Sequence, residues 1–144
     1  GCFCRVNALL KDIIQDLAGN FDVVLIDGEA GVEQINRRVM KTVDHLIAIS
    51  DTSAKGMNVA RTIKHLAFDN QAVNYKNMGM ILNRVRDQQE VKIIREHIPI
   101  DLLGWLPEDD LIREFDFHSR SFLDFPDAAT AHRTVDSIIR NLQI

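Results

Sequence analysis

The chain is predicted to be an α/β protein whose mostly parallel sheet carries helices on both faces. Three observations point there. Short apolar runs alternate with longer segments of helical periodicity. The runs are rich in β-branched residues, as buried parallel strands are. Glycine, proline, asparagine or aspartate closes most of them. Strand and helix alternating in this way imply crossovers that return the chain to one end of a sheet.

Val6 to Ala18 reads as a helix, because Leu9, Leu10, Ile13, Ile14 and Leu17 share one face and Gly19 supplies a stop. Phe21 to Ile26 is too short for a helix and reads as a buried strand, with Gly28 and Gly31 close behind. Gln34 to Val43 is expected to be helical, and Leu46 to Ser50 a second strand. Asp51-Thr52-Ser53 then forms an N-cap cluster for a helix over 54–68, with Met57, Ala60, Ile63 and Leu66 or Ala67 inward. Gly79 to Leu82 reads as a third strand, Gln89 to His97 as a helix and Leu102 to Leu106 as a fourth strand. Glu108 to Phe115 reads as a short helix and Ser119 to Phe125 as irregular chain. Pro126 is expected to open a last helix carrying Ala131, Val135, Ile138, Ile139 and Leu142.

With 144 residues the expectation is a single domain over 1–144, large enough to bury a core. The formal net charge of −4, with both signs interspersed, shows no basic face, which argues against a nucleic-acid partner. No apolar run reaches the roughly 20 residues that cross a bilayer, and the start lacks a signal segment. Cytoplasmic residence is therefore expected. Gly1 in place of Met reads as a fragment or a processed product.

Ligands of open α/β sheets gather at the carboxyl ends of the strands, so the residues just after each apolar run are the informative ones. In Val23-Val24-Leu25-Ile26-Asp27-Gly28-Glu29-Ala30-Gly31, Asp27 closes a strand where a carboxylate suits hydrated Mg²⁺. Gly31 leaves a backbone N–H open to an anion. The alternative is a strand-to-loop turn that Asp27 merely caps. In Gly79-Met80-Ile81-Leu82-Asn83-Arg84-Val85, the Asn83 amide offers a donor and an acceptor to a purine edge, or simply forms a turn. Leu103-Gly104-Trp105-Leu106-Pro107-Glu108-Asp109 supplies groups to a base pocket or caps the next helix.

Cys2-Phe3-Cys4 holds both cysteines of the chain. Two thiolates one residue apart fill half of a tetrahedral or square-planar metal site, and a two-fold dimer would complete it. An incidental thiol pair is the bland alternative. The five histidines show no ligand spacing, and Glu108-Asp109-Asp110 reads as charge at a helix start.

Gly-Cys-Phe-Cys, an amphipathic helix and then Val-Val-Leu-Ile-Asp-Gly-Glu-Ala-Gly together resemble the carbon monoxide dehydrogenase accessory ATPases. Those belong to the MinD/ParA/nitrogenase-iron-protein class of P-loop NTPases. Leu82-Asn83-Arg84-Val85 and the strand ending Pro107-Glu108-Asp109 are similar to later elements of that class, and the likeness runs to the final helix. It implies a three-layer P-loop NTPase-like fold that binds ATP or ADP with Mg²⁺. By that resemblance Asp27 is the Mg²⁺ carboxylate and Glu29 to Gly31 the γ-phosphate switch. Asn83, Pro107 and Asp109 would line an adenine pocket. Cys2 and Cys4 would hold Ni²⁺, or Zn²⁺, at the interface of a homodimer that serves a metalloenzyme client such as carbon monoxide dehydrogenase.

The class also requires Gly-x-x-x-x-Gly-Lys-Ser/Thr, which this sequence does not contain. The parent protein is thus expected to be an ATPase and this chain alone inactive. In related folds the phosphate-loop strand lies beside the strand ending at Asp27. Its loss predicts apolar edges repaired by dimerisation, by swapping or by a new strand order. Two rival readings remain: an ATPase of the same class that positions macromolecules, and a non-catalytic metal-binding or dimerisation module.

Overall fold

A computed structural model describes residues 9, 13–14, 16–28, 42–68 and 73–142. In order they form β1 (Thr42–Ser50), α1 (Ala54–Phe68), β2 (Asn74–Val85), α2 (Gln88–His97), β3 (Asp101–Pro107), α3 (Asp110–Phe117), a 3-10 turn (Phe122–Asp124) and α4 (Thr130–Asn141). The strands make one three-stranded sheet in the order β1-β2-β3, an α/β arrangement as expected. The chain divides into two compact units, 1–46 with 61–77 and 47–60 with 78–144.

The second unit holds most of the core. Met80 and Leu82 of β2, at 1% and 0% exposure, pack with Met57 and Ala60 of α1 and Val91 and Ile94 of α2. A second cluster joins Leu106 of β3 to Ala131 and Ile138 of α4, with Ile81 of β2 and Ile112 of α3 against it. Residues adjacent on β2 thus feed two clusters, because successive strand side chains leave by opposite faces. Full burial of each Met, Leu, Val or Ile among them is worth about 1.5–3 kcal/mol. Gly104 permits the close approach of α4: a Cβ there would lie 2.5 Å from Ile138 Cδ1.

β2 and β3 run parallel, with Gly79 opposite Asp101, Leu82 opposite Trp105 and Val85 opposite Pro107. Three steps along β2 from Leu82 thus match two along β3, which makes Asn83-Arg84 a bulge. Arg84 has a φ of 58° there, the left-handed region.

Helix ends follow capping chemistry. Asp87 accepts from the Gln89 N–H at 2.9 Å and Asp109 from the Leu111 N–H at 2.9 Å. Ser53 caps α1: its carbonyl accepts from the Met57 N–H and its Oγ from the Gly56 N–H at 3.0 Å. Ser53→Ala is expected to cost about 1 kcal/mol, read as a melting temperature roughly 2–4 °C lower in a thermal scan.

Several boundaries differ from the sequence reading. Thr42 and Val43, placed at a helix end, begin β1; residues 34–41 of that helix lie outside the described residues. Pro126 does not open α4. The Ala129 N–H donates to the Pro126 carbonyl in a turn, and the helix starts at Thr130. Part of the stretch read as irregular is the 3-10 turn, which Ser121 caps. Its Phe122 and Phe125 rings lie 5.9 and 5.0 Å from that of Phe115, which is 1% exposed.

The first unit holds the main departure. Phe21 to Ile26, expected as a buried strand, has no regular structure, and Leu25 is 92% exposed. A strand exists only where a neighbour takes its backbone N–H and C=O groups. Elsewhere in that unit Lys76 of β2 pairs with Asp44 of β1 at 2.5 Å, and Val73 and Ala67 are buried.

Candidate functional site

At the carboxyl ends of β1 and β2 a cleft of 290 Å³ is lined by Ile49, Ser50, Asp51, Asn83 and Arg84. This is the end at which parallel sheets take ligands. Three elements position its polar groups. β1 ends in Ser50, whose hydroxyl donates to the Asp51 carbonyl at 3.0 Å. The start of α1 fixes Asp51, whose Oδ1 accepts from the Ser53 N–H at 3.0 Å and the Ser53 hydroxyl at 2.5 Å. The bulge in β2 presents Asn83 and Arg84, and Arg84 Nη2 donates to Asp51 Oδ2 at 3.0 Å.

These contacts hold the Asp51 carboxyl below the usual carboxylate range. The Ser53 hydroxyl acts most strongly, then the Ser53 N–H, with Arg84 a smaller cause. A carboxylate whose folded pKa is depressed contributes stability above its unfolded pKa, near 3.8, and loses it as the pH falls through the folded value. The parent chain is therefore expected to lose more thermal stability than Asp51→Asn between about pH 5 and pH 2. Melting curves across that range check it.

A second ion pair joins the ends of β2 and β3. Arg86 Nε and Nη2 donate to the two Glu108 oxygens at 2.7 and 3.3 Å, and the Glu108 N–H donates to the Val85 carbonyl at 3.0 Å. Arg86 lowers the Glu108 carboxyl pKa through that hydrogen bond and its charge. Both side chains are largely exposed, so the pair fixes geometry more than it adds stability.

The residues singled out from sequence fare differently. Asn83 lines the cleft, and its Oδ1 accepts from the Arg84 N–H at 3.0 Å. Pro107 ends β3 opposite Val85 and lines a different groove of 490 Å³, together with Trp105 and the α4 residues Arg133 and Thr134. Asp109 caps α3, which uses one of its oxygens on the Leu111 N–H. Neither cavity is lined by all three. Asp27 is exposed on the irregular segment after Ile26. Cys2, Cys4, Glu29 and Gly31 lie outside the described residues.

Among the described residues no group of three or more His, Cys, Asp or Glu side chains is placed to hold a metal, and no helix is long and apolar enough to cross a membrane. Arg84 and Asp51 are the site residues that sequence reasoning passed over. Asp51 was visible only as part of a helix cap, and nothing in the sequence signals a left-handed arginine.

No protein-family model matches the chain. An ATP-binding protein of Methanocaldococcus jannaschii is 33% identical over 144 residues, covering 99% of this chain and 56% of its own length. The carbon monoxide dehydrogenase accessory protein CooC of Rhodospirillum rubrum is 28% identical over 99% of the chain and 54% of its own length. The septum site-determining protein MinD of Bacillus subtilis is 27% identical over 88% of the chain and 50% of its own length. The chain thus spans about half the length of the curated relatives it matches. Among solved structures, MinD of Pyrococcus horikoshii complexed with Mg-ADP superposes at a TM-score of 0.70 with 16% identity, over 94% of this chain and 56% of that one. The MinD cell division protein of Aquifex aeolicus gives 0.68 with 18% identity, over 95% and 60%. Several of the relatives are ATP-binding proteins by name, and the fold is that of the MinD proteins.

Proposed function

We propose, from a MinD-like fold and ATP-binding relatives that align along the chain, that it is the C-terminal part of a nucleotide-binding ATPase of the MinD/ParA class. The finer reading is an ATPase that inserts nickel into a metallocentre such as that of carbon monoxide dehydrogenase, residing in the cytoplasm and acting as a homodimer. The observation that carries the broad reading is the 33% identity to an ATP-binding protein over 99% of the chain. The finer one rests on Cys2 and Cys4 together with the accessory-protein relative.

One cleft of the described residues supports the base end of this reading. A polar cleft bearing the Asn83 carboxamide at the carboxyl ends of β1 and β2 suits a base edge. Bound Mg²⁺ would supply charge neutralisation for phosphate oxygens, and Asp27 is the hard oxygen donor proposed to hold it. Glu29 and Gly31 sense the terminal phosphate in this reading; Pro107 and Asp109 are assigned to the base side by the resemblance alone, since neither lines the cleft that holds Asn83. Nickel is cargo, carried between Cys2 and Cys4 of one protomer and the same pair of its partner.

A MinD-type role in positioning macromolecules is the alternative that the comparisons keep alive, since MinD at 27% and CooC at 28% are almost equally similar. The thiolate pair favours the metal-handling role, because positioning needs no thiolates. The broad reading is tested by joining the chain to the part of the M. jannaschii relative that it does not match and measuring ATP hydrolysis. Asp27→Asn is expected to lower kcat by about 100-fold or more while Mg-free ADP still binds. Unchanged hydrolysis would remove Asp27 from the mechanism.

A further inference from the structure

β3 is the last strand of the sheet: it pairs with β2 on one side and with no described strand on the other. The 490 Å³ groove lies along that open edge. Trp105 packs with the cluster that holds Met57 and Val91, whereas Gly104 and Leu106 meet α4 on the opposite face. A groove lined by Trp105 and by α4 together therefore reaches both faces of the strand and opens at its edge. Backbone along such an edge needs a hydrogen-bond partner. Residues 103–107 give about 13 Å of it, the length of four or five residues of an added strand.

The helix wall of the groove is polar. Thr130, Arg133, Thr134, Ser137 and Asn141 recur at three- and four-residue spacing along α4 and all line it. The Thr134 hydroxyl donates to the Thr130 carbonyl at 2.8 Å. Arg133 has no ion-pair partner among the described residues, because the neighbouring carboxylates Asp127 and Asp136 face His132 and Arg140, at 3.8 and 2.8 Å. Two features limit what fits. Met80 pairs with Leu102 and Ile81 with Gly104, so Leu103 is bulged, and Pro107 has no N–H to give. The stretch between those stops suits a short segment in one register.

We infer that this groove takes an extended acidic segment of another protein, which adds to the β3 edge as a strand and sets a carboxylate against Arg133. Side chains of an added strand point alternately to the Trp105 side and to the α4 side, so the fitting sequence alternates apolar with acidic residues. Backbone hydrogen bonds supply the affinity, and the guanidinium selects the charge. The inference is independent of the nucleotide reading.

The test titrates the ¹⁵N-labelled full chain with a blocked six-residue peptide of alternating valine and glutamate. Binding is followed at the amides of residues 104–106 and at the indole of Trp105, the one tryptophan of the chain. A Kd of about 0.1–1 mM is expected for so short an edge. The corresponding valine–lysine peptide should bind about tenfold more weakly. The valine–glutamate peptide N-methylated throughout should not bind, since it has no N–H to give the edge. Arg133 is exposed, so Arg133→Glu should keep the parental melting temperature and invert the preference between the two charged peptides. Equal binding of both peptides, a preference unchanged in Arg133→Glu, full binding of the N-methylated peptide, or no binding at all would overturn the inference. So would hydrogen-exchange protection of residues 104–106 that rises with chain concentration in the absence of peptide, which would assign the edge to a second copy.

Discussion

Replacing Cys2 and Cys4 together by serine is expected to lower the affinity of the reduced chain for Zn²⁺ or Ni²⁺ by about 1,000-fold or more. Thiolate is the ligand that makes such a site strong, and complete thiolate sites hold zinc with roughly 10–16 kcal/mol of apparent free energy. Two thiolates on one chain supply half of a four-coordinate set. A two-fold partner supplies the same two again, because an isologous interface repeats each residue. The stoichiometry should therefore be one metal per two chains, with metal and dimer appearing together in a titration followed by mass. Among the described residues no group of three or more His, Cys, Asp or Glu side chains stands ready to replace the cysteines. Equilibrium dialysis against each metal under reducing conditions checks it. One metal per chain, or binding indifferent to both cysteines, would remove the shared site and leave the MinD/ParA-type nucleotide reading without its nickel role.

The second large effect concerns the state of the chain in solution. Phe21, Val23, Val24 and Leu25 are 64%, 57%, 45% and 92% exposed in a segment that has β-strand composition and no strand. An apolar run of that kind seeks a backbone partner, and at micromolar to millimolar concentration the supply is other copies. The chain is expected to run as a dimer or larger species at about 100 µM. Val23→Lys combined with Leu25→Glu should reduce it to a monomer, a change of twofold or more in mass by light scattering. Because both side chains are already exposed, the melting temperature should barely move, as is usual for surface substitutions within about 0.5 kcal/mol. A parent chain that is monomeric at that concentration would contradict the expectation.

How much of this was legible in the sequence depends on whether the deciding interaction is local. α1 and α2 follow from periodicity: Met57, Ala60, Val91 and Ile94 repeat on one face and are buried there. The caps at Ser53 and Asp109 follow from residue type, since both side chains reach N–H groups two or three residues on. Strand ends were less legible. β2 runs from Asn74, well before the apolar run that begins at Gly79, because its early residues need only a neighbouring backbone. Phe21 to Ile26 shows the reverse case, a composition that suits a strand in a segment that forms no strand with the other described residues. The place of Asn83 at a strand end was readable, and its orientation was not. Its Oδ1 meets the backbone N–H of Arg84, whose left-handed φ nothing in the sequence signals.

The central claim is that this chain is the C-terminal part of a MinD/ParA-class nucleotide-binding fold. Its most direct test is calorimetric binding of Mg-ADP to the chain alone and to the chain joined to the part of the M. jannaschii relative that it does not match. The expected result is a micromolar Kd for the joined protein and no saturation for the chain alone up to about 1 mM. A joined protein that folds yet binds no more tightly than the chain alone, or a chain that alone binds at micromolar concentration, would contradict it.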